Sequence, residues 1–341
     1  MVAGIRVGPG PELTAGLLRR VFVGTLVLAA ALTGCSSGSP TTEPSQTNLF
    51  VDPDSPAARQ AAQWDRQGRT ADADRMRVIA AQPIPDWLTA PTGTIGTQVA
   101  AVVKRAKVAG RQPYFVAYHV PYRDCGSFSS GGARDADDYR AWIREIGNAL
   151  GGGPALVVLE PDAVPHEISG CVPEQVAAAR PALLADAINV LNAGGAKVYL
   201  DAGNPGFVTD TVAVAHALRR SGVDKAAGFS LNVSNFWSTP DVVAYGTKVS
   251  EALGSTHFVV DTSRNGNGRP DGSKINGGPA FCNPPGRKLG QAPTQSAGPL
   301  LVDAYLWIKR VGESDGACRP GEPPAGQWWP EYALGLAGVS G

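Results

Sequence analysis

The sequence predicts an α/β fold built on a parallel sheet, and three observations carry that expectation. Short apolar runs rich in β-branched residues recur along the chain, the kind that fill strands buried on both faces; Ala155-Leu156-Val157-Val158-Leu159 is the clearest. Longer stretches of helical composition separate these runs, and parallel strands are connected by such alternation. The 42 glycines and 28 prolines follow no Gly-X-Y period, so they mark many tight connections and not a collagen-like chain.

Taken in order, strands are expected at residues 78–84, 113–120, 155–160, 197–200, 228–233, 257–260 and 302–308. Helices are expected at 57–67, 71–80, 95–109, 136–150, 176–193, 209–221 and 240–253. Right-handed crossovers with every helix outside would curl such a sheet into a barrel; helices on both faces would leave it open. The pattern admits either. From Ala317 onward the chain is rich in Gly and Pro and carries Trp328-Trp329; this tail is expected to wrap the outside as irregular structure.

Among 341 residues, 30 Lys and Arg balance 30 Asp and Glu, so there is no electrostatic reason to expect nucleic acid or an anionic surface as partner. A hydrophobic content of 43% supports a sizeable core and argues against a disordered chain. At the N-terminus Arg19-Arg20 precede an apolar run over residues 21–32, too short to span a bilayer in a mature protein. The run ends Leu32-Thr33-Gly34-Cys35 before Ser36-Ser37-Gly38-Ser39, which resembles a bacterial lipoprotein signal cleaved ahead of a Cys that becomes lipidated. The expected organisation is therefore a signal peptide at 1–34, a flexible tether at 35–47 lipidated at Cys35, and a catalytic domain at 48–341. The protein is expected to be exported, held at the outer face of the membrane through its lipid alone or secreted, and monomeric. Export makes Cys125, Cys171, Cys282 and Cys318 an even set in an oxidising compartment, with three pairings open. No Cys-x-x-Cys or His-x-x-x-His spacing is present, so neither a metal nor a cofactor is expected.

Chemistry in α/β folds is done where strands end. The run at 155–159 stops at Glu160-Pro161 and delivers Asp162, which could equally be a cap for the following helix. Other exits repeat the pattern: Tyr118-His119-Val120-Pro121-Tyr122-Arg123-Asp124, Asp201-Ala202-Gly203-Asn204, Asn232-Val233-Ser234-Asn235-Phe236-Trp237, Asp261-Thr262-Ser263-Arg264 and Lys309 to Gly316. A parallel sheet brings all these exits to one rim. Neither a Ser-His-Asp order nor a Gly-rich phosphate loop is among them. Clustered carboxylates with amides and aromatic rings suit sugars, because rings stack on pyranose faces and paired acids hydrolyse acetals.

These residues also resemble glycoside hydrolase family 6, the inverting β-1,4-endoglucanases and cellobiohydrolases, from about Leu49 to the C-terminus. The resemblance rests on Val116 to Cys125 with Ser129-Ser130-Gly131-Gly132, on Leu159 to Asp162, on Tyr199 to Gly203 and on Gly228 to Asn235. Further support comes from Cys282 to Arg287, Asp303 to Lys309 and Gly312 to Gly316. It implies a distorted, incomplete (β/α) barrel of about seven parallel strands with outer helices. The implied activity is that of an inverting endo-β-1,4-glucanase acting on a β-glucan polysaccharide or oligosaccharide.

The implied roles follow residue by residue. Asp162 matches the general acid, whose pKa must be raised by burial or by a second carboxylate. Asp124 matches that partner carboxylate, although a salt bridge to Arg123 is the plainer reading of it. Asp315 matches the base that activates water on the opposite ring face, at a separation of roughly 6.5–9.5 Å; a chain of waters reaching Asp124, steadied by Ser130, is the competing route. Tyr118 matches the Tyr that crowds the ring. Asp201, Asn235, Lys309 and Glu313 match substrate-contacting positions, with a structural Lys309–Glu313 pair as the alternative. Trp87 matches a sugar platform, and Trp237 is expected to line the cleft. Cys125 with Cys171 and Cys282 with Cys318 match the family's two disulfides.

Several positions depart from the family: His119 and Tyr122 stand for Asp, Asn204 for His, and Phe207 and Phe281 for Trp platforms. Smaller rings offer less stacking area. The stretches at 162–201 and 265–300 look short and no cellulose-binding module is recognised, so an open cleft and internal cutting are expected. The competing reading is a weakly active or non-catalytic carbohydrate-binding lipoprotein; the retained Asp124, Asp162 and Asp315 count against it.

Overall fold

The computed structural model describes residues 47–295 and 297–338. The expected signal peptide, the expected lipidation site Cys35 and the expected tether up to residue 46 lie outside the described residues. Leu49 is already in the core, paired in a parallel bridge with Gln112.

α1 (Pro56–Arg66) begins with the Ser55 side chain capping the Ala58 N–H and with proline in the first turn. In α2 (Thr70–Ala80) the buried Ala73, Met76 and Ile79 stand three apart, one face of a helix. This corrects the strand expected at 78–84. Ile79 is the last member of that face, packed with Trp64, Trp307 and Leu336. The run then meets Pro83 and Pro85, which have no N–H to give a ladder. The first strand, β1 (Asp86–Leu88), forms only beyond them.

Alternation then proceeds as α3 (Ile95–Val108), β2 (Tyr114–Ala117), α4 (Ala136–Leu150), β3 (Ala155–Leu159), α5 (Ala163–Ser169), α6 (Glu174–Ala193) and β4 (Ala196–Asp201). It continues through α7 (Thr211–Arg220), β5 (Gly228–Leu231), α8 (Thr239–Leu253) and β6 (Phe258–Asp261). A short antiparallel hairpin, β7 (Lys274–Ile275) with β8 (Gly278–Pro279), precedes β9 (Val302–Leu306) and α9 (Pro330–Ala337). The last helix is a second correction. Residues 317–329 are irregular as expected, but Pro330 opens a helix whose Ala333 and Leu336 face the cluster around Met76 and Ile79.

Among the described residues, seven strands form one sheet in the order β1-β2-β3-β4-β5-β6-β9, every neighbour parallel. Side-chain alternation divides its two faces. Phe115, Val157, Leu159, Val198, Leu200, Phe229 and Phe258 pack outward beneath the helices. Tyr114, Val116, Leu156, Val158, Tyr199, Val259, Ala304 and Leu306 form a second, inner cluster. Side chains from β2 and β9, near opposite edges of the sheet, meet in that inner cluster because the sheet curls. The edges do not pair as strands; the Trp87 indole N–H on β1 reaches the Ile308 carbonyl just past β9 at 3.0 Å and spans the seam. The result is the incomplete barrel. Truncating a wholly buried residue such as Leu159 to Ala is expected to cost about 2–5 kcal/mol.

Candidate active site

β3 is followed by a strained turn. Glu160 and Asp162, on either side of Pro161, have φ of 48° and 67°, a region non-glycine residues seldom occupy. Hydrogen bonds hold them there. The Glu160 carboxyl accepts the backbone N–H groups of His119 and Val120 at 2.9 to 3.0 Å. The Asp162 N–H donates to Asp201 Oδ2 at 2.9 Å. Asp162 stands at the N-cap of α5, yet its side chain makes no capping bond, so the capping explanation fails.

That leaves the Asp162 carboxyl without a paired cation among the described residues. Burial pushes its pKa well above the ordinary carboxylate range, and the charges of Asp201 and Asp124 push it further. Asp124 follows the exit of β2, on a turn where Tyr122, Asp124 and Cys125 all have positive φ. The Cys125–Cys171 disulfide ties this turn to the segment just past α5. Burial raises Asp124 too, against the opposing Ser129 N–H, which donates to Oδ2 at 2.7 Å, and the charge of Arg123. The anticipated Arg123–Asp124 salt bridge is not what the guanidinium makes: it donates to the carbonyls of Tyr118, Ser129 and Ser130. Ser130 lies on this same loop. The Tyr118 phenol is kept protonated by burial, with Asp162 and Asp124 next in effect.

Across the rim the electrostatics reverse. Asp315 Oδ2 accepts from Arg264 Nη1 at 2.8 Å and from the Asn283 N–H at 3.0 Å, while Oδ1 faces Lys309 Nζ at 3.1 Å. Burial opposes ionisation of Asp315, but Arg264 and Lys309 outweigh it and hold the carboxyl below its usual range. Arg264 itself is wholly buried. The expected alternative pairing of Lys309 with Glu313 does not form; Glu313 pairs with Arg310 at 3.0 Å. The Cys282–Cys318 disulfide closes the loop beside Asn283 and Asp315. The two sides touch where Phe128 lies on Gly316: a Cβ there would sit 2.7 Å from that of Phe128.

The remaining expected residues fall into three groups. Trp87 meets Tyr118 edge-on at 5.2 Å with Lys309 Nζ 5.9 Å from its ring, so these three converge. Trp237 packs over Gly206, with the Arg269 guanidinium 4.6 Å from its ring; Phe207 stands edge-on to His166; Phe281 is 57% exposed. Asn235 bonds the next residue's N–H through its own Oδ1. Asp201 departs from expectation: it is 0% exposed and accepts from the Asp162 N–H, the Gly203 N–H and the Ser230 hydroxyl. Its carboxylate supports the turn that carries Asp162 in place of reaching into the cleft. Burial raises it to about 7 despite those donors.

Three supporting residues had been assigned no role from sequence. Arg264 and Asn283 hold Asp315. Asp261 accepts the N–H groups of Ser234, Ser263, Ile308 and Lys309, joining the exits of β5, β6 and β9. The available signal was position alone: Asp261 ends a buried strand and Arg264 follows it, while Asn283 sits in a loop beside Cys282. Among the described residues, Cys125–His166–Cys171 and Cys282–Cys318–Glu322 are close enough to hold a metal, but their cysteines are spent in disulfides.

The sequence profile of Glycosyl hydrolases family 6 matches residues 44–340. The chain belongs to glycoside hydrolase family 6. Endoglucanase A of Cellulomonas fimi is 39% identical over 85% of this chain and 61% of its own length. Endoglucanase 1 of Streptomyces halstedii is 39% identical over 89% of this chain and 92% of its own. The chain thus spans about three-fifths of one relative and nearly all of the other. Among solved structures, the endoglucanase Cel6 of Mycobacterium tuberculosis, in complex with methyl-cellobiosyl-4-deoxy-4-thio-β-D-cellobioside, superposes with a TM-score of 0.78. It is 37% identical and covers 88% of this chain and 98% of the other. For a family 6 glycoside hydrolase the arrangement is chemically sufficient. One rim holds a carboxyl driven toward its protonated form, Asp162, and one driven toward ionisation, Asp315.

Proposed function

We propose that this family 6 member is an inverting endo-β-1,4-glucanase acting on cellulose-like β-glucans. The observation that carries the reading is the contrast between Asp162, withdrawn from solvent beside two carboxylates with no paired cation among the described residues, and Asp315, held between Arg264 and Lys309. Asp162 donates its proton to the glycosidic oxygen as the C1–O bond breaks. A water bonds to C1 from the opposite face and gives its proton to Asp315, leaving one new hydroxyl on each product. Tyr118 crowds the ring undergoing cleavage. Trp87, Lys309 and Glu313 bind the chain on one side, with Phe281; Asn235, Trp237 and Phe207 line the rest. Asp201 acts through the Asp162 turn, and Asp124 with Ser130 keeps the proton on Asp162 and orders water nearby.

Endo action draws support from the two bacterial relatives, both named endoglucanases. The same reading includes export as a monomer through the 1–34 signal, with lipid on Cys35 and the 35–47 segment as tether to the 48–341 domain. Replacing Cys35 with Ala and following release into the medium tests the anchor.

A soluble β-1,4-glucan digested under NMR tests the chemistry. An α-anomer at the new reducing end, with a rapid fall in viscosity, is the expected result. A β-anomer first would rule out inversion. Cellobiose alone without loss of viscosity would rule out internal cutting. Binding without new reducing ends would favour a non-catalytic carbohydrate-binding protein.

A further inference from the structure

The group that holds Asp315 is itself incompletely held. Arg264 Nη1 binds Asp315 and Nη2 binds the Ser234 carbonyl at 2.5 Å, with the guanidinium face on Phe236 at 4.4 Å. Its Nε is buried and makes no direct hydrogen bond among the described residues. The Tyr332 hydroxyl, on α9, is likewise buried and makes no hydrogen bond of good geometry among the described residues, though Arg264 is within reach of one. A buried donor left unmet is costly, so two such groups side by side are each other's natural solution, directly or through one water.

They are side by side. Burial raises the Tyr332 phenol, and after burial its acidity responds most to Arg264 and then to Asp315. Geometry says the same. Tyr332 lines a cavity of about 340 Å³ together with Asn283, the residue whose N–H holds Asp315 Oδ2. The ring is fixed from the other side by stacking on Trp329 at 5.4 Å, and the Trp329 N–H donates to the Gly312 carbonyl, three residues before Asp315.

We propose that Tyr332 is a positioning residue for hydrolysis: its hydroxyl orients the Arg264 guanidinium and, through it, the Asp315 carboxylate. The C-terminal helix would thereby be part of the site without touching the sugar. The inference rests on Asp315 acting as the base in the reading above.

The test is Tyr332→Phe in the full chain, which keeps the ring and removes the hydroxyl, assayed on soluble β-1,4-glucan across pH. The expected result is a kcat about fivefold lower, the worth of one hydrogen bond, with KM unchanged. The acid limb of the pH profile should move to higher pH, because a loosened Arg264 holds the Asp315 proton off less strongly. A merely structural role would lower the melting temperature and leave that limb in place, which overturns the proposal. Arg264→Lys should move the limb in the same direction, and adding Tyr332→Phe to it should move it no further. A full additional movement would mean that Tyr332 acts elsewhere, and the proposal fails. Inactivity of the wild-type chain on every β-glucan would instead reject the reading of the site.

Discussion

The rim of the barrel has two halves that treat the same functional group in opposite ways. On the β3–β4 side, Glu160 and Asp201 are buried with Asp162 half-buried beside them, their donors are N–H groups and hydroxyls with no salt bridge among the described residues, and each is driven toward its protonated form. On the β6–β9 side, Asp315 is also largely withdrawn from solvent but lies between Arg264 and Lys309 and is driven toward ionisation. Burial does not decide whether a carboxyl keeps its proton. The charges and donors around it do: desolvation raises every buried acid, and at Asp315 two cations together with the Asn283 N–H outweigh it, whereas the N–H donors on Glu160 and Asp201 do not.

Removing the proton that Asp162 carries should break the contrast most severely. Asp162→Asn is expected to lower kcat on a β-glucan by about 10²–10⁴, the usual worth of general acid catalysis. The loss should shrink sharply on an aryl cellooligosaccharide whose leaving group needs no proton. An equal loss on both substrates would mean that Asp162 does not deliver the proton. Asp315→Asn comes next, with an expected loss of about 10² or more and disappearance of the acid limb of the pH–rate profile. If that limb survives and vanishes instead in Asp124→Asn, the proton leaves the water through Asp124 and not Asp315.

The halves should also oppose one another in stability. Glu160 is raised from 4.5 to about 7, chiefly by burial, against the N–H groups of Val120 and His119 that favour its charged form. A raised acid binds its proton more tightly in the folded chain. Its contribution is full below about pH 4.5 and is lost as pH climbs through 7. For a shift of this size the contribution is on the order of 3 kcal/mol. Asp315, lowered, contributes above the ordinary carboxylate range and is lost in stronger acid. Melting temperatures should therefore peak in mild acid, and Glu160→Gln should flatten the decline toward neutrality. A melting temperature that rises steadily from pH 5 to 8 would contradict this account of the β3–β4 half. The smallest effect is expected from Asp201→Asn. It removes one charge that raises Asp162, so the alkaline limb of activity should move to lower pH; a limb that stays in place would show that burial and Asp124 keep the proton without Asp201.

Much of this architecture was legible in the chain. The strands at 155–159, 228–231 and 258–261 announce themselves through largely apolar runs, because a strand buried on both faces carries a polar residue only where it is hydrogen-bonded, as Ser230 and Asp261 are. The strand placed at 78–84 was misread because Val78-Ile79 has β-branched composition, while the three-residue spacing of Ala73, Met76 and Ile79 carried the true helical signal. β1 was missed because Asp86-Trp87-Leu88 is short and preceded by two prolines. Asp162 stood out by its place after a buried strand. Arg264 stood in a comparable place and yielded no role, since a charged residue past a strand end looks the same whether it faces solvent or a carboxylate.

What the sequence determined by itself was local: which segments are apolar, where turns interrupt them, and that acids follow strand after strand. The pairing of four cysteines, the burial of Asp201 and the two cations on Asp315 were decided only when the sheet curled. Each depends on groups far apart in the chain, Arg264 and Asp315 lying 51 residues apart. Local pattern reports what a residue is and which way its segment runs. The pKa of a buried acid depends on what lies within a few ångströms, and the fold alone sets that distance.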